Sequence, residues 1–247
     1  MTNMMKQYNA QSGTARWGFW MTCVWFLVYL FTTQGLLSAA VLLGFAWQAG
    51  LPLGVATVRH LADDTQLLIQ ISLVVNLLSV PLIALMVWSK KGSSWRDYMA
   101  WRWVSIGRVV VWCLVCLLAV YLTGVAHHLL GWPQSDFMEK MAFAGSPLML
   151  VLTVAVVAPI VEEMVFRGFM YGGFERSLGA FPAVLLTSAV FTMMHFQYNY
   201  YELLNIFVLG LVLAWARMKT QSLWTPIAMH AVNNGLALMA VLATSHG

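Results

Sequence analysis

Long apolar runs separated by short polar connections make up most of the chain. A membrane-crossing helix needs about 20 largely apolar residues. Seven runs meet or approach that length: Trp17 to Trp47, Leu67 to Trp88, about Val104 to Ala126, a fourth from Pro147, Phe181 to Phe196, Leu203 to Met218, and Leu223 to Ala243. The fourth stays apolar until Glu162, and its helical pattern continues to Arg176, ahead of Gly179. The shorter runs should tilt or be shielded by neighbours. Thr32, Thr33, Gln34 and Gly35 soften the middle of the first run, so a break at Gln34-Gly35 would turn seven crossings into eight. That run is too long for a signal-peptide core. The pattern predicts an all-α polytopic membrane bundle, with N-terminal helices in residues 1–146 and a C-terminal set in 147–243, forming one integral membrane domain. Leu51 to Gln66, with His60, Asp63 and Asp64, and His127 to Gly145 read as exposed connections.

Composition supports the class. Of 247 residues, 61% are apolar and 9% are charged, against roughly 25% charged in soluble domains. Mean hydropathy is +0.76. Disorder needs the reverse balance, and a soluble globule of this size could not bury so much apolar surface. The net charge of +4 carries no basic run or stripe that could track phosphates, so nucleic acid is not an expected partner. The basic residues read instead as topology signals. With a cytoplasmic N-terminus, Lys6, Arg16, Lys90, Lys91, Arg96, Arg102, Arg108, Arg176, Arg217 and Lys219 fall at or near the inside face, and Arg59 and Lys140 outside. The membrane is the plasma (inner) membrane if the source is prokaryotic. Cys23, Cys113 and Cys116 lie inside apolar runs and read as packing residues. No internal repeat supports a transporter architecture.

Ionisable groups within a span are costly and mark function by default. They concentrate in the C-terminal half: Glu162, Glu163 and Arg167 on the fourth helix, His195 on the fifth, and His230, Asn233 and Asn234 on the seventh. Glu163 and Arg167, at i and i+4, share a face and can pair. Glu162 is rotated about 100° away and has no evident local partner. Pro159, one turn earlier, can kink the helix and open room beside it. Phe191 and His195 share a helix face, as do His230 and Asn234. Blander roles exist for each: two acids anchoring a helix end, and histidines serving as structural hydrogen-bond partners. Measured from the basic face at 1.5 Å per residue, Glu162 and His195 lie about 21 Å deep, Asn234 about 18 Å and His230 about 12 Å. One carboxylate, two imidazoles and one amide thus fall within one slab.

Such a cluster suits general-base hydrolysis. Glu162 would take a proton from water that His195 helps to orient, and His230 and Asn234 would donate to the oxyanion. No serine or cysteine sits in a recognisable nucleophile motif. Zinc is the possible cofactor, with Glu162, His195 and His230 as three ligands, but no H-E-x-x-H occurs. A metal-free reading is favoured, because Glu162 cannot easily be both a tight ligand and a free base.

At these residues the sequence resembles the intramembrane endopeptidases named for CAAX prenyl proteases and bacteriocin-processing enzymes, the CPBP family. APIVEEMVFRG matches the glutamate pair and arginine motif at Glu162, Glu163 and Arg167. FTMMH matches Phe-x-x-x-His at Phe191 and His195, and HAVNN matches His-x-x-x-Asn at His230 and Asn234. The resemblance covers roughly Pro147 to Leu242. It implies Glu162 and His195 as water-activating residues, and His230 and Asn234 as oxyanion stabilisers. It leaves Glu163 and Arg167, with Phe191, as structural support, and Asn233 outside the motifs. The implied partners are membrane lipid and a peptide or membrane-protein substrate, prenylated or leader-bearing. Two rival classes are a non-proteolytic relative acting as a membrane binding or immunity protein, and a proton-coupled transporter. The first would not need all four polar residues intact. The second predicts acidic groups on the N-terminal spans, which are absent. Oligomeric state is not readable.

Overall fold

The computed structural model describes residues 15–52, 54, 57, 61, 64–133, 135–144 and 146–245. Lys6, Arg59, His60 and Asp63 lie outside the described residues. Seven apolar helices form the bundle: α1 (Phe19–Gln48), α2 (Thr65–Trp88), α3 (Ile106–Leu129), α4 (Pro147–Leu178), α5 (Ala180–Met193), α6 (Tyr200–Thr220) and α7 (Trp224–Ser245). All but α5, at 14 residues, are long and apolar enough to cross a membrane. α1 runs unbroken through Gln34-Gly35 with a seven-residue π-helical stretch, Phe31–Leu37, so the two-crossing alternative does not occur.

Local chemistry sets the helix ends. The Asp64 side chain accepts from the Leu67 amide at 3.0 Å and caps α2. Asn199 and Glu202 form a capping box at the start of α6. Gly179, at φ 89°, turns the chain from α4 into α5, a conformation that penalises any side chain.

α4 is the central element. Phe166, Phe169 and Met170 from α4 join Phe26, Met86 and Phe191 from three other helices in the main core. A Cβ on Gly173 would meet Thr22 Oγ1 at 1.9 Å, so glycine is what lets α1 approach α4 this closely. By contrast, α3 fully buries only Cys116 and His127, packs Trp112, Cys113 and Val120 partly against the bundle, and exposes most of its other large apolar side chains, as expected of a lipid-facing helix. Cys116 packs against Leu209, Leu213 and Met229, in agreement with a packing role.

One end of the bundle collects basic side chains. Arg16 pairs with Glu175 at 3.1 Å, Arg102 with Asp97 at 2.9 Å, and the Ser222 hydroxyl donates to the Arg102 carbonyl. At the opposite end, Ser135 donates to Glu202 from its amide and hydroxyl, and Asn199 donates to the Pro133 carbonyl. Those bonds tie the connection after α3 to the connection before α6.

Candidate active site

Two π-helical stretches, Val151–Val157 and Met164–Met170, bracket the α-helical turn that carries both glutamates. Such stretches are frequent at functional sites. Pro159 accounts for one consequence. The Ala158 amide bonds to the Thr153 carbonyl, five residues back, and the next residue, Pro159, has no N–H. The Val154 carbonyl is thereby left without a backbone donor from either residue. Asn234 supplies one, its Nδ2 donating to Val154 O at 3.1 Å. The proline thus shapes the site through a carbonyl that fastens α7 to α4.

Glu163 is fully buried. Its Oε1 accepts from Arg167 Nη1 at 2.9 Å and from His230 Nδ1 at 2.9 Å. Arg167, also 0% exposed, donates its Nη2 to the Gly210 carbonyl at 3.0 Å and lies 4.4 Å over the Phe191 ring. One arginine thereby links α4, α5 and α6, and one glutamate links α4 and α7. The i, i+4 pairing of Glu163 with Arg167 is observed. Its extension to His230 was not readable, because no spacing rule reports contacts between helices.

Glu162 faces a different environment. Its side chain is 28% exposed, and Oε2 lies 3.8 Å from His230 Nε2. With Nδ1 held by Glu163, His230 stands between the two neighbouring carboxylates. The equal-depth ruler separated Glu162 and His230 by about 9 Å. It erred because α4 does not end level with the start of α7. Leu223 packs at Gly168, and α4 continues for ten residues beyond that level, to Leu178.

His195 is not on α5. The helix ends at Met193, and His195 sits in the following turn, its amide donating to Thr192 O at 3.0 Å. Its Nδ1 lies 2.8 Å from the Phe191 carbonyl, which assigns the N–H to Nδ1 and leaves Nε2 free to accept. Phe191 touches both imidazoles, with ring centroids 4.6 Å from His195 and 5.7 Å from His230. It is the common wall between them. Tyr198, which no motif marked, stacks on His195 at 6.3 Å. Its hydroxyl is pushed up to about 12, by burial first and then by the carboxylates of Glu202 and Glu162. Asn233, set aside in the sequence, donates to Asn234 Oδ1 at 3.3 Å.

Among the described residues no three His, Cys, Asp or Glu side chains are grouped to hold an ion. Both histidines have Nδ1 engaged, by the Phe191 carbonyl and by Glu163, and present Nε2.

The family comparison falls on the same region. The family model described as type II CAAX prenyl endopeptidase Rce1-like matches residues 144–236. The chain is similar to an uncharacterized 24.3 kDa protein of Escherichia coli, at 33% identity over 51% of this chain and 59% of that protein. It is 25% identical to a Bacillus subtilis protein described as a candidate membrane peptidase, YdiL, over 56% of this chain and 59% of that one. It is 22% identical to the membrane-embedded CAAX protease MroQ of Staphylococcus aureus, over 56% of each. The chain thus spans less than two thirds of the length of these curated relatives. No solved structure matches it.

Proposed function

We propose that the chain, whose residues 144–236 match the type II CAAX prenyl endopeptidase Rce1-like model, is an intramembrane endopeptidase of the CAAX/CPBP kind. Water activated by Glu162 cuts a peptide bond of a membrane-associated substrate. The observation that carries this reading is the relay Arg167–Glu163–His230–Glu162, with steps of 2.9, 2.9 and 3.8 Å. A carboxylate that is partly exposed and free of arginine can take a proton from water. The free Nε2 of His195 accepts from the same water and orients it. The resulting hydroxide adds to the carbonyl carbon.

His230 donates to the oxyanion from Nε2. Because Nδ1–H already serves Glu163, this role requires the doubly protonated ring. Glu162⁻, Glu163⁻, Arg167⁺ and His230⁺ then sum to zero, which limits the cost of burying charge. The second N–H of Asn234 adds a further donor. Glu162 finally passes its proton to the leaving amine, so the residue ends as it began. The end rich in arginine faces the cytoplasm, which makes the N-terminus cytoplasmic. No step uses a metal.

The test is cleavage by purified protein in nanodiscs of a peptide panel, with products read by mass spectrometry. The panel includes C-terminal peptides with a prenylated cysteine, leader peptides and membrane-spanning peptides. Glu162→Ala and His195→Ala are the controls. The reading predicts cutting of at least one probe class by wild type and none by Glu162→Ala. Equal turnover by all three proteins removes the mechanism.

A further inference from the structure

A groove of about 380 Å³ lies between α1 and α2, and its apolar walls carry four polar side chains, Gln34, Ser38, Ser72 and Asn76. Gln34 stands at the middle of the 30-residue α1 and Asn76 at the middle of the 24-residue α2. At 1.5 Å per residue, both are roughly 17–22 Å from either helix end. The groove therefore sits at the depth of the bilayer midplane, where polar side chains are costly and point to function.

Three of the four groups offset part of that cost within their own helices. Ser38 Oγ donates to the Thr33 carbonyl at 3.0 Å. Asn76 Nδ2 donates to the Ser72 carbonyl at 2.8 Å and to the Ser72 hydroxyl at 3.3 Å, which leaves Asn76 Oδ1 to accept. Gln34 has no such compensation. It is exposed and makes no side-chain hydrogen bond among the described residues. It also lies on the π-helical stretch Phe31–Leu37, an independent mark of a functional segment.

The groove connects toward the site. Ser79, less than a turn beyond Asn76, donates to the Asn76 carbonyl at 2.7 Å. Thr33 Oγ1, beside Gln34, donates to the Tyr29 carbonyl at 2.8 Å, and α2 packs against the turn Ala158–Glu163 that carries Glu162. The helix that carries Asn76 thus reaches the element that carries the reactive carboxylate.

The occupant follows from what hydrolysis demands. A peptide bond must leave its helix before water can reach the carbonyl carbon. In hydrocarbon each freed N–H and C=O costs several kcal/mol unless it is satisfied. A carboxamide offers both a donor and an acceptor, the pair that a peptide backbone needs. A lipid tail uses neither, and a headgroup does not lie at this depth. We infer that the α1–α2 groove receives an unwound stretch of a membrane-spanning peptide, with Gln34 and Asn76 hydrogen-bonding its backbone. The inference rests on the endopeptidase reading and adds the substrate class.

Binding tests it without cutting. Full-length protein carrying Glu162→Gln is placed in nanodiscs with two dansyl-labelled transmembrane peptides. One has an unbroken leucine core and the other a central Gly-Pro-Gly. Energy transfer from the protein's tryptophans gives Kd. The interrupted peptide should bind about tenfold more tightly. The Gln34→Leu/Asn76→Leu double variant should lose about tenfold, since two intramembrane hydrogen bonds are each worth about threefold. Ala39→Trp fills the groove without touching the amides and should give a similar loss. Equal Kd for both peptides, or full binding by both variants, overturns the inference. So does self-association of two labelled copies that these variants abolish, which would make the groove a dimer face. If wild type binds the interrupted peptide but cuts nothing, the endopeptidase reading fails and the groove assignment stands. If it cuts soluble peptides without discriminating between the two probes, only the groove assignment fails.

Discussion

Two sides of α4 carry adjacent glutamates into opposite surroundings. On one side, Glu163 is shut away and shared between Arg167 and His230. On the other, Glu162 keeps 28% of its side chain exposed and meets His230 at 3.8 Å. A buried carboxylate gripped by an arginine and an imidazole is held in place as part of the packing. A carboxylate with neither arginine nor a short hydrogen bond keeps its lone pairs for a proton. On the proposed reading, one helix spends one acid on architecture and the next on chemistry. The links between them are His230, which touches both, and the π-helical stretches that flank them.

Exchanging or removing members of each side sharpens that contrast. The largest effect should come from Glu162→Gln. Cleavage should fall about 10³–10⁴-fold, the upper range for losing a general base, while the thermal midpoint stays near wild type. A turnover assay and a melting curve on the same sample check both halves.

Glu163→Gln should do the reverse in kind. It leaves Arg167 buried without its carboxylate, which costs about 3–5 kcal/mol, read as a lowered midpoint of denaturant unfolding. Adding Arg167→Met should restore most of that stability, because an apolar side chain leaves no charge uncompensated. Activity should stay low, since His230 has lost its anchor. If Glu163→Gln alone melts like wild type, the architectural role is wrong.

Tyr198 gives a smaller effect, tied to the reactive side. Its hydroxyl is pushed up to about 12, so the folded protein holds that proton more tightly than the unfolded chain does. The stability it provides is full below about pH 10 and is lost as pH rises toward 12, amounting to about 2–3 kcal/mol. Tyr198→Phe should flatten that alkaline loss. Glu162→Gln should shift the tyrosinate absorbance to lower pH, because it removes one of the charges opposing ionisation. The smallest effect belongs to the exposed pair Arg102–Asp97. Arg102→Gln should change stability by no more than about 0.5 kcal/mol, in contrast to the buried pair.

The seven helices were legible because lipid demands long apolar runs, and nothing else in the chain competes with that signal. The Glu163–Arg167 pair was legible because both residues lie on one helix, where spacing fixes geometry. What lay between helices was not. The His230–Glu163 bond depends on how far α4 overshoots α7, and that is set by packing at Gly168 and Leu223. His195 was assigned to α5 because the apolar run continues through Phe196, yet the helix stops at Met193. Tyr198 carried no motif, and its place beside His195 comes from the turn that this early stop creates. The Asn234 bond to Val154 could have been anticipated in part, since Pro159 removes a backbone donor nearby, but which residue would answer it could not.

The division between the two glutamates can be tested most directly by their reactivity in the native membrane. Dicyclohexylcarbodiimide couples to carboxyl groups that can take up a proton within an apolar setting. Treated protein would be digested, and the peptide spanning Glu162 and Glu163 sequenced by mass spectrometry. The account predicts an adduct on Glu162 alone, with loss of cleavage in proportion to labelling. An adduct on Glu163, or equal labelling of both, would contradict it.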